Sequence, residues 1–495
     1  MTADARDLRI NGEMLDSVDE ELELEIDDDR LARLLADSSE HPQAEMLDRE
    51  PVVLPPRVHN PEYHCGPIPK EMYVPAVYQI GSSVDASFCH DDVTRGRSLL
   101  LAACEGDTMD ARLEPAQSSR TTRIARPEGC DRIALILQGG GALGAYQAGV
   151  YQALHEAGVE PDWVTGVSIG AINSAIIAGN RPERRLERLR TFWERITERK
   201  IWSYTPDGDV FRKVRNAASS WVTIVQGQPG FFSPRQPSPW LSLAGAQSAT
   251  SYYDNAPLRE TLDELVDFSM INDKAVRFAV GAVNVLNGNF IYFDNAHEDI
   301  GPEHVMASGA LPPALPMVKI GTDLFWDGGI VSNTPLQHLL DQEDDLNSLV
   351  FQVDLFSASG MPPRDIQDVM ARQKDIMYSS RTRYNTDVYR RIHTWKTRLS
   401  RALSKIPEEL LSDDERRLKS ELADLPEITI LQIIYQQKAY EGHAKDYEFS
   451  GTSMREHWQS GYEDTKRTLK RRDWLAMPPN GHGIVVHDVH REEDR

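Results

Sequence analysis

Long apolar runs are missing from this chain: nowhere does it approach the ~18 uninterrupted apolar residues of a membrane-spanning helix. That excludes a helical membrane span from the expected architecture. Cysteine is almost as scarce. Cys65, Cys89, Cys104 and Cys130 are the only four in 495 residues, and no two of them form a CxxC pair. Neither a zinc site nor a disulfide framework is expected, and a reducing compartment follows. The opening Met1-Thr2-Ala3-Asp4-Ala5-Arg6-Asp7 has neither the basic nor the apolar region of a secretory leader. Positive charge is also in deficit: 54 Lys and Arg against 77 Asp and Glu leave a formal net charge of −23. A chain of that sign lacks the basic footprint of a nucleic-acid binder. The expectation is a cytoplasmic protein with no nucleic-acid partner.

The charge that is present is unevenly spread. Residues 15–29 hold nine acids and no base, whereas residues 381–405 hold eight bases against one acid, Asp387. The acidic run reads as a solvated tail. It opens a region, 1–129, that lacks sustained periodicity and is punctuated by Pro51, Pro55, Pro56, Pro61, Pro67, Pro69 and Pro75. Loops, short helices and partial disorder are expected there.

At Arg132 the pattern changes. Ile133 to Leu137 is a short continuous apolar run, as a buried parallel strand should be. Glycines come next, then a helix with apolar positions Tyr146, Val150, Ala153, Leu154 and Ala157, closed by Gly158. A second strand, Trp163 to Gly166, leads into a helix from Ala171 to Ala178, completing a βαβ unit. Val276–Leu286 and Asn289–Phe293 flank Asn287-Gly288, the signal of a two-residue hairpin turn. Leu349–Val353 and Ile428–Tyr435 read as further strands, and 364–405 and 453–472 as helices, the last with a capping box at Ser453–Glu456. The fold class is α/β. Expected parts are an irregular region 1–129, a core 132–345 and a mostly helical extension 346–495.

Three short motifs fall in order on the core. Gln138-Gly139-Gly140-Gly141-Ala142-Leu143-Gly144 joins a strand to a helix. Its glycines expose consecutive N–H groups at a helix N-terminus, suited to a phosphate or a developing oxyanion. A dinucleotide site would need an acid at the end of the second strand, but Glu160 and Asp162 precede that strand. At its end stands instead Gly166-Val167-Ser168-Ile169-Gly170, a Gly-x-Ser-x-Gly nucleophile elbow between strand and helix. The third motif is Trp326-Asp327-Gly328-Gly329, which alone would be an ordinary turn. A carboxylate within hydrogen-bond reach of a serine can accept its proton without a histidine.

The order and company of these motifs resemble the patatin-like phospholipases over about residues 132–345. Ala307-Ser308-Gly309-Ala310-Leu311-Pro312-Pro313 is similar to the family's stretch ahead of its aspartate. The resemblance implies a three-layer fold around a mostly parallel sheet. It also implies an acyl hydrolase whose dyad is Ser168 and Asp327, acting on a lipid ester without cofactor or metal. Gly139, Gly140, Gly141 and Gly144 would form the oxyanion loop, Gly166 and Gly170 the elbow, and Gly328 and Gly329 the turn after the aspartate. Two alternatives stay open. One is a Ser-His-Asp esterase, for which His338, His393, His443 and His482 all lie downstream. The other is a catalytically silent lipid-binding or scaffold protein on the same fold.

Two segments bear on lipid contact. The aromatic, proline-broken stretch 201–253 reads either as core packing or as a lid or acyl-pocket wall. In the basic stretch Val388, Ile392, Trp395, Leu399, Leu403 and Ile406 fall on one helical face. That face either docks on the core or rests on an anionic membrane, peripheral to its inner face.

Overall fold

The computed structural model describes residues 123–197, 209–342, 344, 346–380, 382–423, 425–438, 440–479 and 481–488. The expectation of partial disorder before residue 123 therefore lies outside the described residues, as do Cys65, Cys89, Cys104, Trp202 and Tyr204. Among the described residues, nine strands form one sheet. They are β1 (Arg132–Leu137), β2 (Trp163–Gly166), β3 (Arg277–Asn284), β4 (Phe290–Asp294), β5 (Val318–Ile320), β6 (Asp323–Asp327), β7 (Ser348–Asp354), β8 (Ile428–Ile434) and β9 (Ile484–Asp488). Their order is β9-β8-β7-β1-β2-β3-β6-β5, with β4 also paired to β3. From β9 to β3 every pair is parallel; β4 and β6 run antiparallel to β3.

All six residues of β1 are buried, which its apolar sequence allows because both faces are covered. Leu135 and Leu137 join one core, whereas Ala134 and Ile136 join a second core with Leu336, Leu339 and Tyr389. Helices on both faces make the three layers expected. The principal ones are α1 (Ala145–Glu156), α2 (Ile169–Ala178), α3 (Pro182–Thr197), α4 (Asp209–Gln226), α5 (Ile366–Tyr378), α6 (Thr382–Leu403) and α7 (Gly451–Lys470). Among the described residues no helix is long and apolar enough to cross a membrane.

One register matters most for the site. Val280 pairs with both Gly166 and Phe293, and Ala282 with both Ile291 and Asp327. A strand residue has one neighbour per edge. Hence β4 fills one edge of β3 while β2 and β6 share the other, running toward each other. The end of β2 at Gly166 and the end of β6 at Asp327 thus meet across Gly281.

Several expectations need correction. The boundary at 345/346 falls inside the sheet: β7 is the direct neighbour of β1, and β8 and β9 extend that side. Residues 346–488 therefore complete the core rather than append to it. The hairpin loop is 285–289, longer than the Asn-Gly turn suggested, because pairing stops at Val283 and Phe290. Helix α7 starts earlier than its expected capping box. Ser450 is its cap, its hydroxyl accepting the Ser453 N–H at 3.3 Å.

Helix α6 docks through Thr386, Tyr389 and His393, and of the apolar stripe it buries Leu403, against Leu411 and Leu422. Ile392, Trp395 and Leu399 on that stripe are 49%, 68% and 42% exposed. Its basic half also lies far from the carboxyl edge of the sheet. The helix begins beside Ser380, whose hydroxyl bonds Asp354 at the end of β7 at 2.9 Å. It then runs down to Thr397 and His393, which pack against Gly481 and Gly483 just before β9.

Helices α1 and α7 cross at two glycines. A Cβ on Gly149 would enter the Trp458 carbonyl, and one on Gly461 the Tyr146 carbonyl. Neither obstacle is a flexible side-chain end, so the helices themselves must part. Gly461→Ala is expected to cost about 1–3 kcal/mol of unfolding free energy. Denaturant titration checks this, and an unchanged midpoint would refute the close crossing.

Candidate active site

Ser168 sits between the last residue of β2 and the first turn of α2 with φ 57° and ψ −125°. A serine there carries about 1–3 kcal/mol of backbone strain. Its surroundings hold it: the Ser168 N–H reaches the Ser308 carbonyl at 3.2 Å and the Ser308 hydroxyl at 3.1 Å. The Ser308 hydroxyl in turn donates to the Gly281 carbonyl at 2.7 Å. The flanking glycines are required by space. A Cβ on Gly166 would strike the Gly170 carbonyl, and one on Gly170 would strike the Leu137 carbonyl.

Asp327 comes to this serine because β6 ends against β3 where β2 has just ended. Its N–H donates to the Ala310 carbonyl at 3.0 Å, so the Ala307–Pro313 stretch supports both partners. Gly328 lets the chain pass close to the Gly281 carbonyl, where an added Cβ would come within 2.6 Å of the oxygen. The carboxylate accepts the Gly329 N–H at 2.7 Å, and Asp327 lines one cleft with Ser168. Asp327 is 2% exposed. Burial pushes its carboxyl up to about 7, the neighbouring Ser168 hydroxyl and Gly329 N–H opposing only part of that rise.

The glycine loop divides into two roles. Gly139, Gly140 and Gly141 line the same cleft as Ser168 and Asp327. The Gly139 N–H, however, is given to the Asn333 carbonyl at 3.2 Å. Gly144 lies outside the cleft lining, beneath Ile169 and Trp193, where a Cβ would come within 2.5 and 3.0 Å of their side chains. Both therefore serve close packing, and as oxyanion donors they are corrected. Gly140 and Gly141 have no N–H partner among the described residues. Gly140 caps and Gly141 opens the 3₁₀ turn Gly141–Gly144 that leads into α1, at the positive end of that helical segment.

Sequence reasoning missed the residues that brace these loops. Gln138 is fully buried and its side chain makes four hydrogen bonds. It donates to the Thr334 hydroxyl (2.9 Å) and Tyr378 carbonyl (3.0 Å), and accepts from Leu355 and Phe356 N–H (2.5 and 3.0 Å). Asn333 donates to the Gly139 and Tyr378 carbonyls at 3.0 and 3.1 Å. A polar glutamine closing an otherwise apolar strand was the only local signal. Also missed was a wall from beyond residue 345: Phe356, Lys374, Tyr378, Asp446, Tyr447 and Phe449. Of the aromatic stretch, Phe231, Phe232 and Tyr253 line the cleft, whereas Trp221 and Trp240 are exposed. Among the described residues no histidine lines it. His338 is bonded to Asp294 at 2.8 Å, and His393 packs on Gly483.

Two parts of the chain are similar to known proteins. Residues 135–340 match the family model described as patatin-like phospholipase, and residues 376–481 match a second described as patatin phospholipase. Residues 135–340 belong to the patatin-like phospholipase family. Among relatives, lysophospholipase NTE1 of Yarrowia lipolytica is 24% identical over 250 residues, 50% of this chain and 14% of that protein. Neuropathy target esterase sws of Drosophila melanogaster is 44% identical over 68 residues, 14% of this chain and 5% of that protein. The matched regions are thus a small part of those relatives' length. VipD from Legionella pneumophila aligns with a TM-score of 0.30 and 15% identity, covering 71% of this chain and 70% of that one. The patatin-like match at 135–340 spans the elbow and the Asp327 turn, and the second match covers most of the added wall.

The buried carboxyl has a stability consequence. From about pH 4 to 7 the unfolded aspartate ionises while native Asp327 stays protonated, so the unfolded state binds fewer protons. Stability therefore falls as pH rises through that window, and the cost is complete above about 7. Asp327→Asn lacks this titration. Its stability relative to wild type should rise between pH 4 and 8 by on the order of 4 kcal/mol. Denaturant unfolding across that range checks it; a difference independent of pH would contradict the shift.

Proposed function

We propose that this protein is a lipid acyl hydrolase that cleaves carboxylic esters through a Ser168–Asp327 dyad. The observation that carries the reading is Ser168 sharing with a buried carboxyl, Asp327, one cleft that Gly140 and Gly141 also line. The Ser168 oxygen attacks the ester carbonyl as its proton passes to Asp327. The Gly140 and Gly141 N–H groups hold the oxyanion, each such donor typically contributing about 2.7–4 kcal/mol. Collapse expels the alcohol, which takes the proton from Asp327 and leaves an acyl-serine. Water then attacks, giving its proton to Asp327, and a second collapse releases the acid and returns the proton to Ser168. Every step is served by these groups, so the reading calls for no metal or cofactor.

Substrate class is argued from the lining. Ile224, Phe231, Phe232, Tyr253, Leu315 and Phe449 offer an apolar surface suited to an acyl chain. The relatives named lysophospholipase support a phospholipid ester as that substrate. A cytoplasmic enzyme meeting lipid at a membrane surface is part of this proposal. The exposed Ile330, Val331, Ile376 and Met377 adjoin cleft residues Gly329 and Tyr378 and suit that contact. The basic half of α6 suits it less, because its contact would turn the cleft away from the lipid. The Ser-His-Asp alternative has no histidine among the described cleft residues to support it. A silent lipid-binding protein would keep the cleft without the chemistry.

Ser168→Ala should lower hydrolysis of a short p-nitrophenyl ester by about 10³-fold or more, with an unchanged melting curve. Activity near wild type would mean another nucleophile. Because Asp327 must be ionised to accept the proton, wild-type kcat/KM should level off above about pH 7 and fall about tenfold per unit below it. A profile flat from pH 5 to 8 would remove Asp327 as the base.

A further inference from the structure

The apolar part of the cleft is continuous. Phe231 lies 5.2 Å from Phe232 and 6.0 Å from Phe449, and Phe232 lies 4.8 Å from Tyr253, ring centre to ring centre. Against it stands Lys374 of α5, the one cation among the described residues that line the cleft. Its ammonium donates to Asp446 at 2.6 Å and to the His443 carbonyl at 3.2 Å, 5.0 Å from the Tyr447 ring centre. The Lys374 side chain is 22% exposed. An ammonium has three N–H donors, and these contacts engage two. The Asp446 carbonyl abuts Gly141, so the pair stands beside the glycine loop. A half-buried cation next to a site for acyl transfer has no use on a neutral ester, and a strong one on an ester whose alcohol carries an anion.

Resting on the reading of Ser168 as nucleophile, we propose that Lys374 is a specificity-determining residue that binds the phosphate of the leaving glycerophosphate moiety. The acyl chain lies on the aromatic surface. The remaining ammonium N–H donates to a phosphate oxygen. Asp446 orients the ammonium and, being negative, holds phosphate affinity in check. The two partners of one ion pair therefore have opposite effects on substrate choice. A purely structural pair would not behave so, since breaking it from either side would harm all substrates alike.

The test uses the full chain and two soluble monomeric esters with the same acyl chain, a lysophosphatidylcholine and a monoacylglycerol. The readout is the ratio of their kcat/KM values. Wild type should favour the phosphate-bearing ester. Lys374→Gln should lower the ratio about tenfold or more, the effect of a lost charged hydrogen bond. Asp446→Asn should raise it, and Lys374→Arg should retain most of it. If Lys374→Gln does not fold, the double variant Lys374→Met with Asp446→Asn removes both charges and should show the same lowered ratio. The proposal is overturned if wild type shows no preference, or if Lys374→Gln and Asp446→Asn slow both esters in parallel. Failure of the underlying reading looks different: neither ester is cleaved by wild type, or Ser168→Ala still cleaves both.

Discussion

The arrangement depends on one juxtaposition in a dry place, the Ser168 hydroxyl beside the buried Asp327 carboxyl. A carboxylate in water is a weak base, and a serine hydroxyl is a weak nucleophile. Burial changes the first term by raising the carboxyl toward 7, so that near neutral pH it is ionised yet eager for a proton. Strand register makes the contact: β2 and β6 converge on one edge of β3, and Gly281 leaves room where they meet. The stability cost of an ionised Asp327 and the strain at Ser168 are borne by the same framework of Ser308, Gly281 and Ala310.

Around that pair, the glycines act by what they do not carry. Gly166, Gly170 and Gly328 allow backbone to pass backbone, Gly139 and Gly144 admit neighbouring side chains, and Gly140 and Gly141 keep N–H groups free. The polar braces Gln138 and Asn333 tie the glycine loop to the Asp327 loop and to the end of α5. That last tie brings the C-terminal part of the chain to the cleft. With β7 to β9 in the sheet and α7 crossing α1, residues beyond 345 are structural neighbours of Ser168. They also supply the cleft's only lining cation among the described residues.

Much of this was legible in the residues where the signal is local. The apolar run of β1, the glycine loop and the Gly-x-Ser-x-Gly elbow lie within one βαβ unit, and each declares its own conformation. Asp327 was found by motif and company, but its meeting with Ser168 is a matter of sheet register, which short-range pattern does not encode. For the same reason the strand reading of 428–435 was right while its membership in the main sheet was missed. Amphipathic spacing in α6 identified an apolar face without saying which face is covered. The helix docks instead through Thr386, Tyr389 and His393, a mixed surface that no hydrophobic period would select. The cap of α7 slipped by three residues because Ser450 and Ser453 are both competent caps, and the chain path chooses between them.

The claim that a buried aspartate alone activates Ser168 is tested most directly by covalent trapping. Native protein would be reacted with a fluorophosphonate at pH values from 5 to 8, and the adduct located by peptide mass spectrometry. The account predicts one adduct, on Ser168, formed at a rate that falls as pH drops below about 7 and nearly absent in Asp327→Asn. An adduct on another residue, or a Ser168 adduct formed as quickly by Asp327→Asn as by wild type, would contradict it.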